Sequence, residues 1–134
     1  MTGLHRQDVY FLILIFLFFS SINTFSFQRK MPDEEFLAFA DVMPSPVGGF
    51  AQIYKNVRYP QSARDSGIEG KVYLMAYVDE EGTVLKCSVI RGIGFGCDEA
   101  AVKAVEASKF TPGKNSGNPV KVKFSMFVIF HLQY

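Results

Sequence analysis

Tyr59-Pro60-Gln61-Ser62-Ala63-Arg64-Asp65-Ser66-Gly67-Ile68-Glu69-Gly70-Lys71-Val72-Tyr73-Leu74-Met75-Ala76-Tyr77-Val78 is the stretch whose reading decides the fold. It predicts a short helix, a glycine stop and a strand. Pro60 suits the first helical position, where its missing N–H costs nothing, and Gly67 suits the left-handed conformation that ends a helix. After Gly70 the side chains alternate. Val72, Leu74, Ala76 and Val78 fall on one face, and Lys71, Tyr73, Met75, Tyr77 and Asp79 on the other. Nothing in the stretch has the look of a catalytic centre; it reads as the frame of a small binding domain.

Downstream, Asp79-Glu80-Glu81-Gly82-Thr83 reads as a hairpin loop, with Gly82 supplying the positive φ. The return strand is Val84–Arg91, with Leu85, Cys87 and Val89 on one face. Gly92-Ile93-Gly94-Phe95-Gly96 breaks the sheet. Asp98 is the expected N-cap of a helix that runs to about Ser108 on a small-residue inner side of Ala101, Val102, Ala104, Val105 and Ser108. Pro112 and Gly113 stop it, Lys114–Pro119 reads as a polar loop, and Val120–Phe130 alternates as a last strand. Upstream, Gly49–Asn56 suits a brief helix with Phe50, Ile53 and Tyr54 at helical spacing. A right-handed crossover then puts the third strand beside the first. The expectation is an α+β fold: a three-stranded antiparallel sheet of order 2-1-3, two helices packed on one face, and the last strand at an edge.

The chain has 134 residues and a formal net charge of +1, so no global field recruits nucleic acid. Val9–Phe19 is an unbroken apolar run behind His5 and Arg6. Residues 1–26 therefore read as a signal peptide, or alternatively a membrane anchor. Residues 27–46 read as a short connector containing an amphipathic helix at Met31–Asp41, and 47–134 as the domain. Either form of the leader puts that domain outside the cytoplasm.

No constellation for catalysis can be assembled. The glycine loop is G-x-G-x-G, and Asp98 and Glu99 stand where a phosphate would sit. Glu80 and Glu81 are adjacent at a solvated hairpin tip, and the two histidines, His5 and His131, have no partner set. Cys87 and Cys97 match no zinc spacing. They read as buried thiols, with a disulfide as the alternative in an oxidising compartment. No enzyme, metal or cofactor is expected. Tyr73, Tyr77 and Phe127 share the face away from the helices, which reads equally as half-buried sheet or as a contact surface. Lys121 and Lys123 fit the protection of an exposed edge.

The residues Tyr59-Pro60, Ala63-Arg64, Gly67-Ile68-Glu69-Gly70, the strand Lys71–Val78 with its Asp79/Gly82 hairpin, Val89, Asp98-Glu99-Ala100-Ala101, Phe110-Thr111-Pro112-Gly113 and Val120–Phe130 together resemble the TonB C-terminal domain family over about residues 47 to 132. The resemblance implies the same sheet-and-helix fold. It also implies a periplasmic domain that takes an extended segment, the TonB box, of an outer-membrane transporter as an added strand. Inner-membrane proton-channel partners would supply force. The implied partner-binding residues are Val120, Val122, Phe124, Met126 and Phe127 on the last strand, with Arg58, Tyr59 and Pro60 before the first. Arg58 stands where well-known members have glutamine. The connector, from Gln28 to Pro46, reaches only about 65 Å when extended, shorter than the family's Pro-rich spacer. Residues 9 to 27 also lack the anchor histidine of the family. The alternative reading is a stand-alone interaction or regulatory module, or a strand-exchanged homodimer, that does not transduce energy.

Overall fold

The computed structural model describes residues 35–133, which lie in one compact unit, Met31–Tyr134. The expected leader falls outside the described residues. The elements are β1 (Ser45–Pro46), α1 (Phe50–Asn56), α2 (Gln61–Asp65), β2 (Gly70–Val78), β3 (Val84–Arg91), α3 (Cys97–Glu106), β4 (Phe110–Thr111), β5 (Gly113–Asn115), β6 (Asn118–Val120) and β7 (Val122–Phe130). The main sheet is antiparallel with the order β3-β2-β7, which is the expected 2-1-3 arrangement with the last strand at an edge.

The opening stretch folds as its residue types dictate. Gly67 has φ 65° and closes α2. Its N–H donates to the Arg64 carbonyl and the next N–H, of Ile68, reaches back to Ala63, so two carbonyls left over at the helix end are satisfied. Pro60 sits one position earlier than expected, as the extended N-cap residue of α2 with ψ 142°. Along β2, Val72, Leu74, Ala76 and Val78 are fully buried beneath the helices. Ala63, Ile53, Cys97, Ala101, Ala104 and Val105 meet them from α1, α2 and α3. Burying each Val, Leu or Ile is worth about 1.5–3 kcal/mol, and the small residues of α3 let it approach the sheet closely.

Several expectations need correcting. Leu85 does not share a face with Cys87. A bulge pairs Val78 with Val84 and Tyr77 with Lys86, so Leu85 is the extra residue and is left exposed, while Val84 turns inward. Asp98 is not the N-cap of α3. That position is Gly96, in the left-handed region at φ 80°, and the Asp98 carboxylate folds back to accept hydrogen bonds from the N–H groups of Ile93 and Gly94. The helix ends at Glu106. Lys114–Pro119 is a hairpin, β5 against β6, turned at Ser116 and Gly117, both at positive φ. The last strand is accordingly split, with Lys121 between β6 and β7. Both cysteines are buried free thiols.

The segment before the sheet also differs. Residues 35–41 form no helix; they follow a bent path laced to the domain. Leu37 bridges Val122 in parallel, Val42 bridges Lys114, and β1 pairs with β4. These pairings satisfy main-chain groups that a surface helix would have kept to itself. Phe36 and Ala40 are buried. The Phe36 ring stands edge-on to Tyr77, 5.3 Å between centroids, so the sheet face away from the helices is covered at Tyr77 and left open at Tyr73 and Phe127.

Candidate functional site

β7 is an edge strand, and its parity decides which main-chain groups face outward. In an antiparallel pair, alternate residues turn both N–H and C=O toward the partner strand. The Lys123 N–H donates away from β2, to the Leu37 carbonyl (2.9 Å), and the Ile129 N–H donates to the Tyr54 hydroxyl (3.2 Å). The same parity turns the main chain of Ser125 and Phe127 outward, and no strand among the described residues pairs with them.

A groove of about 470 Å³ runs beside this edge, lined by Pro44, Phe50, Tyr54, Phe124, Ser125, Met126 and Phe127. Its outer wall is α1. Gly49, at φ 75°, turns the chain into that helix, and Ile53 fixes it to the core. Phe50 and Tyr54, one turn apart, are thereby left on the groove side, 56% and 40% exposed. Pro44 is placed by the pairing of the segment on either side of it, at Val42 and Ser45. The floor is β7 itself, where Phe124 packs on Phe110 (5.8 Å) and the Met126 side chain is mostly buried. The lining is thus mainly apolar, with a row of main-chain donors and acceptors beside it. That combination suits an extended peptide: the backbone pairs with the edge and alternate side chains enter the groove.

Of the residues singled out from sequence, Phe124, Met126 and Phe127 come together here. Phe127 is 43% exposed on the opposite sheet face, where it touches Tyr73 and lies under the Lys71 ammonium. Val122 is fully buried, and Val120 lies in β6. Arg58, Tyr59 and Pro60 do not line the groove. Arg58 is exposed. Tyr59 is held internally, its ring edge-on to Phe130 (5.2 Å) and its hydroxyl donating to the Ile68 carbonyl. Sequence reasoning missed Pro44, Phe50 and Tyr54 as site residues. The available signal was an excess of aromatic surface on a helix of seven residues.

The glycine loop gives a separate answer to the phosphate question. Its N–H groups at Ile93 and Gly94 already bind a carboxylate, that of Asp98. Among the described residues no group of three or more His, Cys, Asp or Glu side chains is placed to hold a metal ion, and no helix is long and apolar enough to cross a membrane.

The family described as Gram-negative bacterial TonB protein C-terminal matches residues 55–132 of this chain. Among curated proteins, Protein TonB of Vibrio cholerae serotype O1 is 32% identical over 77 residues, covering 57% of this chain and 32% of that protein. The chain therefore spans about a third of the length of that relative. Among solved structures, the solution NMR structure of the Pseudomonas aeruginosa TonB CTD aligns with a TM-score of 0.48 at 21% identity, over 73% of this chain and 93% of that one. A Helicobacter pylori TonB-CTD aligns with a TM-score of 0.42 at 22% identity, over 58% and 85%.

Proposed function

This chain belongs to the Gram-negative bacterial TonB protein C-terminal family, and from that premise we propose that it is a periplasmic binding domain that takes an extended segment of an outer-membrane transporter as a strand added to β7. The observation that carries the reading is the outward main chain of Ser125 and Phe127 beside the groove of Pro44, Phe50 and Tyr54. Strand addition draws affinity from main-chain hydrogen bonds and selectivity from the pockets that take alternate side chains. Phe124, Met126 and Phe127 would meet the incoming segment, with Phe50 and Tyr54 closing over it. Residues 1–26 would export or anchor the chain, and coupling to an inner-membrane proton channel would make it part of TonB-dependent transport.

The test is binding of synthetic peptides from the N-terminal segments of outer-membrane transporters, followed by amide chemical shifts. The expected outcome is saturable binding, with the largest shifts at Ser125, Phe127 and the α1 aromatics. Shifts confined to another surface would overturn the strand-addition reading. So would dimerisation through β7 without peptide binding, which would point to the strand-exchanged module instead.

A further inference from the structure

The receiving edge is shorter than the strand that forms it. Between the Lys123 N–H, taken by Leu37, and the Ile129 N–H, taken by the Tyr54 hydroxyl, only Ser125 and Phe127 turn their main chain outward. At about 3.4 Å per residue these two positions are roughly 7 Å apart, whereas an ordinary strand of five residues spans about 17 Å. A partner strand of ordinary length therefore collides with something already in place.

At the Val122 end that occupant is the chain itself. The Leu37 N–H donates to the Lys121 carbonyl (2.9 Å) and its carbonyl accepts from Lys123 (2.9 Å), so Leu37 already sits as one rung of an added strand. Its neighbours hold it there. Phe36 packs edge-on to Tyr77, and Glu35 pairs with the Lys121 ammonium. Beyond Leu37 the segment leaves the edge to reach its next bridge at Val42. Leu37 itself is 42% exposed, so its attachment is mainly through the backbone.

Resting on the strand-addition reading, we propose that Glu35–Leu37 is an autoinhibitory clasp, which occupies the outward groups of Lys121 and Lys123 and is displaced when a longer partner strand docks. Release would extend the receiving edge from Ser125–Phe127 to Lys121–Phe127. Affinity would then depend on the fraction of molecules with the clasp open.

The experiment measures hydrogen exchange at the Leu37 and Lys123 amides of the full chain, with and without a transporter-derived heptapeptide. The same peptide is titrated into F36A and L37P. Phe36 also shields Tyr77, so L37P, which keeps the Phe36 side chain and removes the Leu37 N–H, serves as the second variant. The expected result is faster exchange at Leu37 when peptide is bound, and binding roughly three- to tenfold tighter in both variants. Peptide binding with unchanged Leu37 protection and unchanged affinity in the variants would overturn the clasp and leave the strand-addition reading standing. Absence of peptide binding in wild type and both variants alike would overturn both.

Discussion

Gly82 has two reasons to be glycine. Its φ of 83° closes the hairpin after β2, where the Asp79 carboxylate accepts from the N–H groups of Glu81 and Thr83. Its carbonyl also accepts from the Phe110 N–H at 2.9 Å, and a Cβ at this position would stand 1.8 Å from the Phe110 carbonyl oxygen. Gly82→Ala thus combines a left-handed conformation with a backbone collision that no rotamer relieves. The expected cost is about 2–5 kcal/mol, summing the two effects. Urea unfolding measures it, and a loss well under 1 kcal/mol would refute the collision. The turn requirement was legible in the sequence, because a glycine between two alternating runs signals it. The approach to Phe110 was not, since it depends on where a distant loop is folded back. Asp98 shows the same limit. Its type favours a helix N-cap, yet Gly96 takes that role, and the carboxylate serves the loop before it.

At the scale of elements, β7 makes a sharp distinction between adjacent positions. The Ser125 N–H faces outward and the Met126 N–H faces β2, by the parity fixed at Lys123 and Ile129. Ser125→Pro removes a donor that the sheet does not use, so the domain should stay folded while peptide binding falls at least tenfold. Met126→Pro removes a ladder hydrogen bond and should cost about 3 kcal/mol or more of stability. Circular dichroism melts beside peptide titrations would separate the two. Equal binding by S125P and wild type would count against strand addition. The strands themselves were readable because each alternates apolar and polar residues. The bulge that expels Leu85 was not, since inserting one extra residue changes the register without changing the composition. Met31–Asp41 looked like an amphipathic helix for a related reason. Phe36 and Leu37 are apolar, but what they satisfy lies in β7 and β2, far along the chain.

For the molecule as a whole, the two thiols tie stability to pH. Burial, with Glu106 nearby, pushes Cys87 from 9.0 up to about 12, and burial with Asp98 and Glu99 raises Cys97 as well. A raised folded-state value means that the contribution is complete below pH 9 and is lost as pH rises, because the unfolded thiols ionise first. Wild type should therefore lose stability faster than C87A between pH 9 and about 12 in urea titrations; parallel profiles would contradict the assignment. The sheet order and the edge position of β7 followed from the sequence. The groove did not, because its walls come from Pro44, Phe50 and Tyr54, brought to β7 by pairings outside the main sheet.

Those pairings have a mechanical consequence. Main-chain pairing fastens segment 35–46 at three separate places: Leu37 to Val122, Val42 to Lys114, and β1 to β4. None is longer than two residue pairs. Tension drawn from the N-terminal side would load them in turn rather than together, so each fastening would rupture alone. Leu37 would yield first and Ser45 last. The twelve residues released in this way would reach at most roughly 40 Å end to end at 3.3–3.6 Å per residue, with β2, β3 and β7 still paired. Under such tension this segment would serve as an extensible lead, and the earliest force drawn along it would be felt at the edge of β7.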